Sequence, residues 1–183
     1  MKDYIGLLTS SLLHDEIPSE KTRPFIERVP PTFAAAESSE GFICRAKGNY
    51  ILNESGQLTS VEYDKIPTFY EDPALIVQTL SVWQDIESAW AYVYSGTHMD
   101  ALKRRSEWMQ KPTFPQYVLW WRNTDAIPLF AEGVHWLEHL HTHGVTKDAF
   151  TFRQAFTNDG QPFLKNLTHH SSAKPENTAQ IKH

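Results

Sequence analysis

The first apolar run of the chain, residues 4–13, carries Ile5, Leu7, Leu8, Leu12 and Leu13 and is bounded by charge, so it reads as a strand. Residues 14–21 form a polar loop containing Pro18. Thr22 is placed to cap a helix, with Pro24 tolerated in the first turn because the N–H it removes has no partner there. Phe25, Ile26 and Val29 follow at helical spacing. Pro30 and Pro31 predict a break or kink, after which Thr32 restarts the helix through Glu37 and Gly41 ends it. Residues 42–46 read as a second short strand. The pattern weakens from 47 to 73, where Asn53-Glu54-Ser55-Gly56 marks a turn and 50–52 can pair with 58–61 as a hairpin. Segment 48–73 is too short to build its own core and reads as an insertion or long loop.

Residues 74–83 give the strongest strand pattern, with little clean alternation, which predicts cover on both faces. Asp85 caps a helix that places Ile86, Ala89, Trp90 and Val93 on one stripe. Gly96 interrupts it. Thr97-His98-Met99-Asp100 has a capping-box arrangement and predicts a further helix from His98, with Lys103, Arg104 and Arg105 in the half where cations suit the dipole. Residues 116–122 are another strand, whose period of two sends Trp120 and Trp121 to opposite faces. Thr124 or Asp125 leads into a last helix, with Pro128 in its first turn and a buried stripe of Phe130, Val134, Leu137 and Leu140, ending at Gly144. Residues 149–152 read as a short terminal strand or docking segment. The stretch 166–183 lacks apolar periodicity and reads as a disordered tail.

The order is strand, helix, strand, twice over, followed by a helix. This is an α+β chain on the ferredoxin-like βαββαβ plan with an extra C-terminal helix, one domain over 1–156. An antiparallel sheet with helices on one face leaves the other face bare. Two such sheets packed face to face would bury both Trp120 and Trp121, so a homodimer is expected.

Composition narrows the function classes. The chain has 183 residues and a net charge of −5, which gives no general attraction for phosphate backbones, so no nucleic acid partner is expected. No run of about 18 apolar residues exists, so no membrane partner is expected, and the N-terminal residues lack a secretory cleavage pattern. A single cysteine, Cys44, fits a reducing compartment, and the expected location is cytoplasmic. The unusual content is 6 Trp, 7 Tyr, 10 Phe and 9 His.

Within residues 94–109 a helix would bring His98, Leu102, Arg105 and Trp108 or Met109 to one side, with Trp90 and Tyr94 supplied by the preceding helix. Such a cluster suits a general base or metal-bound ligand at His98, with Arg105 holding an anionic group. The plainer alternative keeps His98 as a helix-start residue and pairs Arg105 with Asp85 or Glu87. His135, His139 and His143 have the i,i+4 spacing of metal ligands but no evident third ligand, and read as a solvated helix face, so no metal is expected. Cys44 reads as a small core residue, and His14 is a weaker candidate for the same pocket. Phosphate-binding glycine loops and the Gly-x-Ser-x-Gly elbow are missing, which argues against the common nucleotide enzymes and serine hydrolases.

The stretch from Leu80-Ser81-Val82-Trp83 through Tyr92-Val93-Tyr94-Ser95-Gly96-Thr97-His98 and Leu102-Lys103-Arg104-Arg105-Ser106-Glu107-Trp108 resembles an uncharacterised domain family assigned to the dimeric α+β barrel superfamily. The resemblance continues through Val118-Leu119-Trp120-Trp121, Glu138-His139-Leu140, His143-Gly144 and Ala149-Phe150-Thr151-Phe152. Typical members lack much of 48–73 and are basic where this chain has Ser95. The superfamily includes cofactor-free antibiotic-biosynthesis monooxygenases, polyketide cyclases, chlorite-dismutase-like haem enzymes and carotenoid monooxygenases of the spheroidene type. The resemblance implies a pocket inside each subunit, between sheet and helices.

The expected function is a small-molecule enzyme of secondary metabolism, a monooxygenase or cyclase acting on an apolar cyclic or polyene substrate. His98 and Arg105 are the expected catalytic residues, and Trp90, Tyr94, Trp108 and Trp120 the expected substrate-binding walls. No cofactor is expected. The alternatives are a non-covalent haem with His98 as axial ligand, and a non-catalytic ligand-binding dimer.

Overall fold

The computed structural model describes residues 2–163. In chain order the elements are β1 (Tyr4–Leu12), α1 (Arg23–Glu37), β2 (Phe42–Arg45), β3 (Asn49–Leu52), β4 (Leu58–Glu62), β5 (Ile76–Trp83), α2 (Ile86–Val93), α3 (Gly96–Arg104), β6 (Tyr117–Arg122) and α4 (Phe130–His143). Short 3₁₀ turns occupy Pro73–Leu75 and Arg105–Glu107. One antiparallel sheet has the order β2-β5-β1-β6, and β3 and β4 form a separate hairpin. With the hairpin set aside, the chain is a ferredoxin-like βαββαβ unit, the middle helix being the α2–α3 pair.

Alternation in the central strands sorts the core into two layers. Ile5, Leu7, Thr9 and Ser11 of β1 share one face with Trp83, Ser81, Thr79 and Val77 of β5, paired in that order. At the apolar end of this face Ile5, Leu7 and Trp83 pack against Ile86, Ala89 and Val93 of α2, with Phe150 and Phe152. On the opposite face Leu8, Leu80, Val118 and Trp120 pack under Phe130, Val134, Leu137 and Leu140 of α4.

That second face is closed by the chain itself, which corrects the expectation of a bare sheet face left for a second subunit to cover. Trp120 is buried beneath α4 and its Nε1 donates to Glu132 at 2.9 Å. The segment after β4 completes the cover. Tyr63 lies edge-on to Phe130 at 4.8 Å, and its hydroxyl accepts from the amide of Gln78. Burial pushes that hydroxyl's pKa up to about 12, so it stays neutral. Tyr70 donates to the carbonyl of Ser10, while the amide and hydroxyl of Thr68 donate to Glu138 of α4.

Four local expectations change. The helix α1 runs unbroken through Pro30 and Pro31, because both are exposed and the acceptors they leave can turn to water. The helix α3 begins at Gly96 after Ser95, where a φ of 47° at the glycine turns the chain out of α2. The last helix starts only at Phe130, because its cap is not local: the carboxylate of Asp64 accepts from the amides of Phe130 and Ala131, both at 3.0 Å. The stretch 149–152 contributes a single bridge to β6, through paired bonds between Leu119 and Phe150. The expected tail at 166–183 lies outside the described residues. Among the described residues no helix is long and apolar enough to cross a membrane.

Candidate functional site

Between the inner sheet face and α1, α2 and α3 lies a cavity of about 550 Å³. Its origin is visible in the strands. Along β1 and β5 the inner face turns from Ile5, Leu7 and Trp83 to Thr9, Ser11, Thr79 and Ser81, whose short side chains cannot reach the helices above. Thr79 is exposed although it sits on a central strand, because it faces this space. Its hydroxyl and that of Thr9 lie 2.7 Å apart on the floor. The roof is α1, whose inner stripe of Phe25, Arg28, Val29, Thr32, Phe33 and Ala36 lines the cavity. Only Ala36 of that stripe is buried, so an amphipathic helix here stands off the sheet instead of pressing on it.

The wall comes from α2, α3 and the 3₁₀ turn that follows. His98, Leu102, Arg105, Trp108 and Met109 all line it, together with Tyr94. The His98 ring lies tilted against that of Tyr92 with centroids 4.8 Å apart, and its Nδ1 lies 2.9 Å from the carbonyl oxygen of Val93. A carbonyl only accepts, which assigns the proton to Nδ1 and leaves Nε2 as the basic nitrogen of a neutral ring. Burial lowers the pKa of His98 from the ordinary histidine value, with the Val93 bond opposing. His98 is therefore a neutral base at pH 7, the form general base catalysis needs.

Trp108 is buried against Leu13 and Val77, and the guanidinium of Arg28 lies 4.9 Å from its ring. Trp90 does not line the cavity. It stands behind the wall, 4.0 Å from Tyr94 and edge-on to Phe152. Trp120 does not line it either, since it belongs to the opposite sheet face. Arg105 makes no ion pair among the described residues, so the expected alternative partners Asp85 and Glu87 do not hold it; Asp85 instead caps α2 through the amide of Ser88. His14 lies outside the cavity lining, its Nε2 3.3 Å from the carbonyl of Ser106. Cys44 faces the segment 125–126, where its Sγ donates to the carbonyl of Asp125, and burial raises its pKa, which disfavours the thiolate. On α4 the rings of His139 and His143 stack at 4.5 Å, and among the described residues no three His, Cys, Asp or Glu side chains converge as a metal cage would require.

Sequence reasoning missed the floor and the roof. Four arginines line the cavity, Arg28, Arg45, Arg105 and Arg153, and among the described lining residues there is no aspartate or glutamate. Arg45 is the most enclosed: its Nε donates to Glu37 at 2.7 Å, its guanidinium lies 4.0 Å over Phe33, and its Nη1 is buried without a hydrogen-bond acceptor. The hydroxyls at period two in β1 and β5 were the available signal for the floor, and an arginine inside the short apolar strand β2 was the signal for Arg45.

Several solved structures are similar at low identity. They include a conserved protein from Methanosarcina mazei (12% identity, 66% of this chain and 92% of that chain, TM-score 0.40). A cofactor-independent oxygenase from Streptomyces nogalater, SnoaB, matches at 11% identity over 69% of this chain and 98% of its own, with TM-score 0.40. A dimeric protein of unknown function and ferredoxin-like fold from Bacteroides fragilis matches at 10% identity over 68% and 98%, with TM-score 0.39. No curated protein matches. Residues 5–165 match the family described as a domain of unknown function, DUF3291, and the chain belongs to that family.

Proposed function

We propose that this protein is a small-molecule enzyme, a monooxygenase or cyclase, acting on an apolar cyclic or polyene compound of secondary metabolism. The observation that carries the reading is His98, a neutral imidazole with its Nδ1–H committed to Val93, set in the wall of a 550 Å³ cavity of mostly aromatic and aliphatic groups. In the oxygenase reading Nε2 removes a proton from a phenol-like or benzylic position. Arg105 holds the resulting oxyanion and the electron-rich anion reacts with O₂. A methylene between aromatic rings then becomes a carbonyl, with the second oxygen atom leaving as water. In the cyclase reading the same pair polarises a carbonyl while the walls fold the chain.

The test is O₂ uptake and product mass with anthrone. Anthraquinone formation at one O₂ per anthrone, lost in His98→Ala, supports the oxygenase; no turnover of anthrone and no cyclisation of a linear polyketide overturns both branches.

A non-covalent haem is the second reading, favoured by the same Val93 bond. An Nδ1–H held by a carbonyl orients Nε2 as an iron ligand is oriented. Haem would supply electron-transfer or oxygen chemistry, and the cavity arginines suit its propionates. Added haemin giving a Soret band that His98→Ala abolishes would favour this reading. A homodimer is also part of the proposal. What supports it is the exposure of the large apolar side chains Leu52, Ile127 and Leu129, and light scattering at a monomer mass would remove it.

A further inference from the structure

The cavity is more cationic than an apolar substrate needs. In a chain of net charge −5, its lining holds four guanidiniums and, among the described residues, no carboxylate. Among the described residues Arg45 is the one of the four in a salt bridge, to Glu37, whose side chain is half-exposed and held through one nitrogen, while the charge of Arg28 also acts on Glu107 outside the lining. Arg28 spends one nitrogen on the carbonyl of Pro24, and its Cζ lies 4.9 Å from the ring of Trp108. Arg105 and Arg153 are exposed and therefore belong to the rim. A cleft of one sign with low-dielectric walls concentrates ions of the opposite sign. Guanidinium also matches the two oxygens of a carboxylate better than any other side chain does.

The position of Arg45 adds a second observation. Its side chain is only 16% exposed, yet Nη1 is buried with no acceptor, which is costly for a charged donor. The contacts of the guanidinium with Glu37 and Phe33 of α1 leave that donor unanswered. Around it stand Phe33, Tyr50 and Tyr92, all on the cavity lining, with the Tyr92 hydroxyl donating to the carbonyl of Thr32. The site thus offers a planar cation beside aromatic walls, at the opposite sheet edge from Arg153, which follows the segment bridged to β6.

We infer that the ligand of this cavity is an amphipathic organic acid, an aromatic or polyene body carrying a carboxylate, with the carboxylate anchored on Arg45 and Arg105 at the rim drawing it in. The inference rests on the small-molecule reading above and narrows its substrate class. The apolar body lies along Val29, Leu102 and Trp108, and the hydroxyls of Thr9, Thr79 and Ser81 beneath it serve any ring oxygen it carries. A neutral analogue of the same shape offers Nη1 of Arg45 a weaker acceptor than a carboxylate does, so discrimination between acid and amide follows from charge.

The experiment titrates the full chain calorimetrically with anthraquinone-2-carboxylate and, separately, with the isosteric anthraquinone-2-carboxamide. The acid is expected to bind at least about tenfold more tightly, as one charge-assisted hydrogen bond would give. Arg45→Gln is expected to weaken the acid about tenfold and leave the amide unchanged. Arg105→Gln, a substitution on the exposed rim that leaves the fold alone, is expected to reduce the salt dependence of acid binding; an unchanged salt dependence removes Arg105 from the proposal. Thermal melting of each variant confirms folding. Equal binding of acid and amide overturns the charge requirement while leaving an apolar small-molecule site intact. Acid preference unchanged in a folded Arg45→Gln overturns Arg45 as the anchor. Failure of both compounds to bind overturns the inference together with the reading it rests on.

Discussion

The Nδ1 of His98 lies 2.9 Å from the backbone oxygen of Val93, five residues earlier, across the turn that Gly96 makes between α2 and α3. The bond fixes both the ring's orientation and its tautomer. His98→Ala is expected to lower kcat by about 10²–10⁴. His98→Asn, whose amide can replace the Nδ1–H but not the base, is expected to fold normally and stay equally inactive. An active His98→Asn would remove the base role.

The same histidine ties stability to pH. Its folded-state pKa is depressed by burial, so the unfolded chain takes up a proton more readily than the folded one. The neutral form's contribution is present above the unfolded value of about 6.5 and is lost as pH falls through it. The melting temperature should drop between about pH 7.5 and 5.5, and His98→Phe should flatten that part of the curve. A wild-type curve identical to that of the variant would show that His98 titrates alike in both states.

On the other side of the sheet, a Cβ placed on Gly6 would fall inside the indole of Trp120. Glycine is needed here for space, since the strand's backbone is otherwise ordinary. Gly6→Ala should cost about 1–3 kcal/mol in denaturant unfolding. Pairing it with Trp120→Leu should restore part of the loss, and strict additivity of the two would contradict the contact.

Beside that indole, Glu132 receives Arg122 through two bonds at 2.7 and 3.1 Å while Trp120 shares one of its oxygens. The side chain of Arg122 is 5% exposed, that of Glu132 34%. Removing the acid strands a buried cation. Glu132→Ala should therefore cost about 3 kcal/mol, and the double change Arg122→Leu, Glu132→Leu should cost less than the single one. Equilibrium unfolding of the three variants decides it.

The floor hydroxyls behave differently from core groups. Replacing Thr9 and Thr79 together by valine removes both ends of their 2.7 Å contact with shapes that fit. Stability should stay within about 0.5 kcal/mol of the starting protein, while binding of a polar ring ligand weakens. A large loss of stability would mark the pair as structural cement instead of cavity lining.

The antiparallel sheet and the buried stripe of α4 were legible because strand and helix periods differ and each element buries one face. The pocket was legible only where one continuous stretch of α3 and the turn after it carried it, as with His98, Arg105 and Trp108. Its floor and roof are assembled from β1, β5 and α1, far apart in sequence, and Trp120 fell on the wrong side because two neighbouring tryptophans give no clue to which faces which layer. The late start of α4 was equally hidden, for its cap sits 66 residues upstream.

That remote cap has a consequence for the architecture. Asp64 follows the β3–β4 hairpin within the insertion, and Leu129, at the helix start, has no side-chain oxygen to offer the first amides of α4. Insertion and helix are therefore a single latch across the sheet, fastened at the Asp64 carboxylate on the helix start and again where Thr68 donates to Glu138. Trimming 48–73 would not shorten a loop; it would unfasten the latch and bare Leu8, Leu80 and Trp120 together. A relative that dispenses with the insertion is expected to carry a capping Ser, Thr, Asp or Asn at the position of Leu129.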